Sequence, residues 1–198
     1  MDPLLTRSNR APLAVCFCQQ LIILAFSSPA AIAASTSTPL NLVDAFATML
    51  FCLLLLCEAT ADWQMLAFQT EKYRRIAYNE PLGAYSNGFI ETGLWAYSRH
   101  PNYFAEVSMW WAFYLFSVAA DGFLLNWTLV GPVFLAGLFC LPRASLDVTE
   151  ALSSRKYAAY ELYQQRVNRF FPWPPSASAS AGADPIVLGT RCTHIPDA

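Results

Sequence analysis

Arg99, His100, Asn102, Tyr103 and Glu106 fall within eight residues, and a membrane-type apolar helix starts among them. Hydrocarbon tolerates such groups only when they are paired or bind something, so by default they mark a functional site. Pro101 suits the first position of that helix, where its missing N–H is not needed. The free N–H groups of the helix end, its partial positive charge, and Arg99 and His100 just ahead make an anion or phosphate site. The plainer reading has Arg99 and His100 anchoring the helix at headgroup level. Asn102 and Glu106 are four apart, and Tyr103 and Glu106 three, so their side chains can meet. An ionised Glu106 one turn inside the apolar run costs about 2.5–3.5 kcal/mol unless it is paired or near water. It either pairs with Arg99 or belongs to a polar wall that orients a ligand. The convergence of several polar groups on one segment favours the wall.

Other polar groups face the same region. Asp62 sits at the end of an earlier apolar run and is either a wall residue or an ordinary interfacial acid. Tyr157, Tyr160 and Tyr163 recur every three residues, which keeps them near one face of a helix over residues 146–171. They either line a site or anchor an interface. Glu150 reads as a helix N-terminal acid, and Arg166 and Arg169 as bases suited to phosphates. There is no Gly-rich nucleotide loop, so no Rossmann domain is expected. No composition or basic patch points to nucleic acid.

These residues must be positioned by membrane helices. Of 198 residues, 56% are hydrophobic and only 13% charged, about half the share of a soluble domain, and mean hydropathy is +0.34. Residues 11–40 carry no charge, residues 42–57 only Asp44, and residues 103–141 only Glu106 and Asp121. Each window holds one or two helices of about 20 residues. All 12 Lys and Arg lie in residues 1–10, 72–99 or 143–191, and the connectors near residues 35–39 and 121–122 have none. The positive-inside rule then gives four spans with both termini and the 72–100 loop in the cytosol.

The spans are expected at residues 12–34, 40–68, 101–120 and 123–141, the last kinked at Gly131-Pro132. Asp121-Gly122 makes a turn. The expected organisation is a polar tail (1–10), one membrane domain (11–175) and a small-residue disordered tail (176–198). The fold class is thus an all-α integral membrane bundle of about four helices plus a C-terminal cytosolic amphipathic helix. The first span also reads, less well, as a secretory signal, which Gln19 and Gln20 interrupt. The six cysteines form no C-x-x-C pair and five lie in apolar spans, so no metal is expected. The sequon Asn126-Trp127-Thr128 lies too close to the membrane for glycosylation.

The run Gly93-Leu94-Trp95-Ala96-Tyr97-Ser98-Arg99-His100-Pro101-Asn102-Tyr103-Phe104-Ala105-Glu106, followed by Trp110-Trp111, resembles the signature of the steroid 5-alpha-reductase C-terminal-domain family, in its DUF1295 branch. Further pieces stand in the expected order: Ala61-Asp62-Trp63-Gln64, Thr149-Glu150, Lys156-Tyr157, Tyr160, Tyr163-Gln164, Arg166-Val167 and Phe170-Phe171-Pro172-Trp173-Pro174-Pro175. The resemblance covers about residues 19–175. It implies an all-helical membrane fold, NADPH as cofactor, and reduction of a C=C bond conjugated to a carbonyl in a steroid or other lipid. Hydride would go to the β-carbon while an acid polarises the carbonyl. By the same resemblance Asp62, Asn102, Tyr103, Glu106, Tyr157, Tyr160, Tyr163 and Arg166 line the cofactor cavity, with Arg99 and His100 near the phosphates.

Relatives carry further helices before the part corresponding to Gln19, including the carboxylate and tyrosine that hold a substrate carbonyl. This chain shows no counterpart, so no proton donor is assigned, and a truncated form or a protein partner supplying those helices is the expectation. Ala96 stands where relatives often have a base. Two alternatives come from other classes. Isoprenylcysteine carboxyl methyltransferases share an Arg-His-Pro turn but bind S-adenosylmethionine, and a non-catalytic membrane scaffold would keep the fold alone. The expected partners are a lipid or steroid substrate and membrane lipids, and the expected location is a multi-pass membrane protein, of the endoplasmic reticulum if eukaryotic.

Overall fold

A computed structural model describes residues 3–176, with side chains from Gln19 onward. Among the described residues there is no strand, and the α-helices are α1 (Pro3–Ser35), α2 (Leu42–Ala77), α3 (Pro101–Asp121), α4 (Val130–Cys140), α5 (Ser145–Lys156) and α6 (Tyr160–Arg166). By length and composition, α2 and the helical stretch Trp127–Lys156 can cross a membrane, and Gln19–Ser35 is a shorter apolar helix. At about 54 Å, α2 exceeds the ~30 Å hydrocarbon core, so it projects well beyond it. Its large apolar side chains Phe46, Met49, Leu53 and Leu56 are exposed.

α2 and α3 form an antiparallel pair with interlocked ends. The Asn41 side chain caps α2 by accepting from Val43 N (2.8 Å), while Asp44 accepts from Asn41 N. The same Asn41 donates to Ala119 O, and Thr38 Oγ1 donates to Ala120 O. Carbonyls at the end of α3 that have no partner inside that helix are thus satisfied by the start of α2. Gly122 closes α3 at φ +76°, the left-handed conformation expected of the Asp121-Gly122 turn. α1 packs across α3 and α4. Phe26 stacks on Trp110 at 4.8 Å, and a Cβ on Gly131 would lie 2.7 Å from Ala25 O, so a glycine is needed there.

Several expectations need correction. The polar residues expected as an N-terminal tail are continuous with α1, which starts at Pro3, where proline is tolerated. The fourth span does not run as one helix from residue 123. The Asn126 amide donates to Ser117 and Asp121 and accepts from Thr128 N and Oγ1. That network holds a compact loop and a single 3-10 turn before α4, and it also occupies the nitrogen a glycan would need. Gly131-Pro132 falls in the first turn of α4, so no kink arises. The helix expected over 146–171 is broken. α5 ends at Lys156, Tyr157 is extended (φ −126°, ψ 113°), and α6 starts at Tyr160. Of the expected disordered tail only Ser176 lies within the described residues.

Candidate functional site

The mouth of α3 is built from backbone outward. His100 is the N-cap residue and Pro101 the first helical residue. Ser98 Oγ accepts from His100 N (3.1 Å) and donates to Phe170 O (2.8 Å). Arg99 N donates to Asn168 O and Trp173 N to Tyr97 O. Residues 97–100 are thus laced to residues 168–173, and Phe104 meets Phe170 and Phe171 edge to face.

Arg99 is the centre of this lacing. Its Nε and Nη2 donate to the two Glu150 oxygens (2.7 and 3.1 Å), and its Nη1 donates to Gln164 O and Val167 O (2.6 and 3.1 Å). Both residues are buried, each 8% exposed. The expected alternative partner, Glu106, is not reached. All three guanidinium nitrogens are occupied by protein acceptors, which leaves Arg99 no free fork for a phosphate. Glu150 also takes Gln164 Nε2 and lies 3.3 Å from His100 Nε2. It is a buried hub rather than a plain helix-start acid.

The broken tyrosine segment still converges. Phe89 sits 5.1–5.6 Å from the rings of Tyr157, Tyr160 and Tyr163. Tyr163 Oη donates to Trp95 O (2.6 Å), and Trp95 Nε1 donates to Ala61 O, so the tyrosine segment is bolted to α2 through Trp95. Burial pushes the Tyr163 hydroxyl well above its ordinary range, and burial and the nearby Glu150 charge raise that of Tyr160. Gly88, at φ +80°, passes so close under Tyr157 that a Cβ would lie 2.5 Å from the ring.

Between these parts lies a cavity of about 350 Å³. Its walls are Met65 and Gln69 of α2, the 89–100 connection, the first turn of α3, and one side of α5 with the tyrosine segment. Arg99, His100, Asn102, Tyr103, Tyr157, Tyr160 and Tyr163 all line it. His100 and Tyr103 are stacked at 5.4 Å, and Tyr103 leans on Phe139. Asp62 lies just beside the cavity, accepting from Asn102 Nδ2 at 3.0 Å. Asn102 Oδ1 is buried without a hydrogen-bond partner among the described residues. Asn102 therefore meets Asp62 and not Glu106. Glu106 is not on the cavity wall and neither is Arg166, whose guanidinium is paired with Glu91.

Sequence reasoning missed Lys72 and Lys156. Lys156 lines the cavity. Lys72 is 5% exposed, donates to Gly88 O (2.9 Å), and lies over the Tyr73 ring at 4.7 Å and the Tyr157 ring at 5.9 Å. No periodicity links Lys72 to these partners. No group of His, Cys, Asp or Glu suited to a metal occurs among the described residues.

Residues 5–168 match the family described as Protein of unknown function (DUF1295). The chain is 35% identical over 159 residues to the uncharacterized protein C594.04c of Schizosaccharomyces pombe, a match that covers 77% of this chain and 45% of that protein. The chain thus spans about half the length of that curated relative. No solved structure matches. The matched family takes in the polar mouth of α3, the Asp62 turn of α2 and the tyrosine segment together, and the chain belongs to it: it is a member of the DUF1295 family, the family of the steroid 5-alpha-reductase C-terminal region.

Proposed function

We propose that this chain is the cofactor-binding part of a multi-pass membrane reductase that uses NADPH to reduce a C=C bond conjugated to a carbonyl in a steroid or other lipid. The observation that carries this reading is a cavity that opens between apolar helices and a charged, base-containing segment and is lined by Asn102, whose buried Oδ1 has no partner among the described residues. A buried acceptor without a donor is costly unless something supplies one. The carboxamide or ribose hydroxyls of a nicotinamide nucleotide supply such donors. The donor set around the cavity fits the rest of the group, with tyrosine faces for stacking and Lys156 for a phosphate. At about 350 Å³ the cavity is at the small end for ligand sites, so it encloses only part of a dinucleotide.

When bound, the cofactor supplies hydride. Within this chain, Asp62 accepts from the Asn102 amide and fixes its orientation. Glu150 accepts from or pairs with His100 Nε2 and so fixes the ring against Tyr103. The Trp95–Tyr163 bond keeps the tyrosine wall in place, and Phe89 excludes water behind it. The group that polarises a substrate carbonyl comes from outside these residues, which fits a partner or further helices and the partial coverage of the relative. Four spans with both termini cytosolic follow from the distribution of bases and put the cavity on the side where NADPH is abundant. In a eukaryote the membrane would be that of the endoplasmic reticulum.

Thermal shift of the detergent-purified protein tests the reading. Stabilisation by NADPH and not by S-adenosylmethionine supports it, with the shift lost in Asn102→Ala. Stabilisation by S-adenosylmethionine alone replaces it with a methyltransferase. No response from a folded protein leaves a scaffold.

A further inference from the structure

We propose that α5 lies at the cytosolic leaflet and that its outer face, Val148, Leu152 and Arg155, docks onto anionic phospholipid, with Arg143 as a second headgroup contact, an assignment that rests on the multi-pass membrane reading above. Two ties fix the depth of α5. Glu150, in its middle, is joined to Arg99 at 2.7 Å, and Arg99 stands two residues ahead of Pro101, where α3 starts. That pair is buried, so α5 is held at the level where α3 enters the apolar bundle. From the other side, only residues 141–144 link α4 to α5, a reach of at most about 18 Å. The chain arrives through exposed Val133, Phe134, Leu138 and Leu141, and Arg143, at φ +64°, turns it into α5. α5 therefore cannot leave the level of the α3 mouth without breaking its pair with Arg99. Phe171 and Trp173 mark the same level. Both rings are exposed, Phe171 rests on Phe104, and Trp173 N is bonded to Tyr97 O, which is how aromatic side chains sit at headgroup depth.

The two faces of α5 differ in kind. Leu146 and Glu150, four apart, are buried. Val148, Leu152 and Arg155 recur at helical spacing on the opposite side, with Val148 54% and Leu152 61% exposed. No acid shares that stripe. The nearest one, Asp147, accepts from Arg143 N and is paired with Arg169. Arg143 and Arg155 are exposed, and neither has a carboxylate partner among the described residues. Arg166 and Arg169, the bases that the sequence suggests for phosphates, are instead paired with Glu91 and with Asp147 and Glu150. An aliphatic stripe ending in unpaired bases complements acyl chains below and anionic headgroups above. It does not complement a second copy of itself, because a two-fold interface on this face would bring like charges together.

Hydrogen exchange of the full chain in single-chain nanodiscs tests this, with phosphatidylcholine alone or mixed with phosphatidylglycerol. Amides of residues 147–156 should exchange about five- to thirtyfold more slowly in the anionic discs, the range for one to two bases at a charged surface. High salt should shrink that gain. The double variant Arg143→Gln/Arg155→Gln should abolish the gain and leave the phosphatidylcholine value unchanged, while Arg143→Lys/Arg155→Lys should keep it. Val148→Asp should speed exchange of the same amides in both kinds of disc. These side chains are exposed, so the folded core does not depend on them, and melts in detergent should be the same for parent and variants. Equal protection of α5 in the two kinds of disc overturns the proposal, and so does a gain that survives Arg143→Gln/Arg155→Gln. Protection that is absent from discs and grows with chain concentration in micelles gives the face to a second copy and overturns it as well. A chain that does not enter discs at all removes the membrane reading itself.

Discussion

Replacing Arg99 with methionine removes four hydrogen bonds at once and leaves Glu150 with only the longer contacts to Arg169 (3.5 Å), His100 (3.3 Å) and Gln164 (3.2 Å). Two of the bonds go to Glu150 and two to the Gln164 and Val167 carbonyls. Each partner of the ion pair is 8% exposed, so water cannot take over the lost contacts. Removing one member of a buried pair costs about 3–5 kcal/mol, far above the ~0–1 kcal/mol of an exposed pair. Arg99→Lys keeps the charge but loses the planar fork, and should cost about 1–3 kcal/mol. The double variant Arg99→Met/Glu150→Leu removes that carboxylate too and should be more stable than the sum of its single changes by at least about 1 kcal/mol. Reversible unfolding in mixed micelles gives these values. Hydrogen exchange locates the effect: amides of residues 160–173 should exchange faster, while α1 and the first half of α2 stay protected. An Arg99→Met cost under about 1 kcal/mol, or strictly additive single and double variants, would refute the claim that Arg99 is a structural clamp.

Further outcomes follow from single contacts. Gly88→Ala places a Cβ against Tyr157 at a backbone angle that suits glycine, and should cost about 1–3 kcal/mol, measured by melting, and weaken the NADPH binding proposed above, measured by titration. Gly131→Val pushes into the Ala25 carbonyl and should separate α1 from α4, seen as loss of a cysteine cross-link between those helices. Tyr163→Phe leaves the Trp95 carbonyl without its donor, a loss of about 1–3 kcal/mol in a melt. The hydroxyl of Tyr163 is raised by burial, so the folded state keeps its proton after the unfolded chain loses it. Its contribution is complete below about pH 10 and falls as pH rises beyond that. The alkaline loss of stability should therefore be shallower in Tyr163→Phe than in the parent, as read from melts between neutral and alkaline pH.

The parts of the site that could be read from sequence were those where chemistry contradicts its surroundings. Asn102 and Tyr103 in an apolar run, and Asp62 at the end of another, stand out without any knowledge of contacts, and the cavity lies where they meet. What could not be read depends on partners far away in the chain. The occupation of Arg99 is decided by Glu150, 51 residues on, and local spacing pointed to Glu106 instead. The break at Tyr157 has no local cause, because Ala158 and Ala159 favour helix. Tyr157 is drawn out by Phe89 and the close pass of Gly88, and tertiary packing overrides propensity. Lys72 looked like one of several loop bases, since the carbonyl it meets belongs to a turn that only folding brings near. The helix ends were easier where one residue type sets the backbone, as at Gly122, whose left-handed conformation closes α3.

The lacing of residues 97–100 to residues 150–173 sets an order on biosynthesis. A ribosome delivers the α3 mouth roughly 50 codons before Glu150 exists, at about 5–20 residues per second. Throughout that interval the nascent chain carries an unmatched arginine where its finished form has a buried one. A message interrupted after α4 would still produce a polypeptide with every long apolar element and no cleft. Formation of the long apolar helices and closure of the cavity are thus separate events.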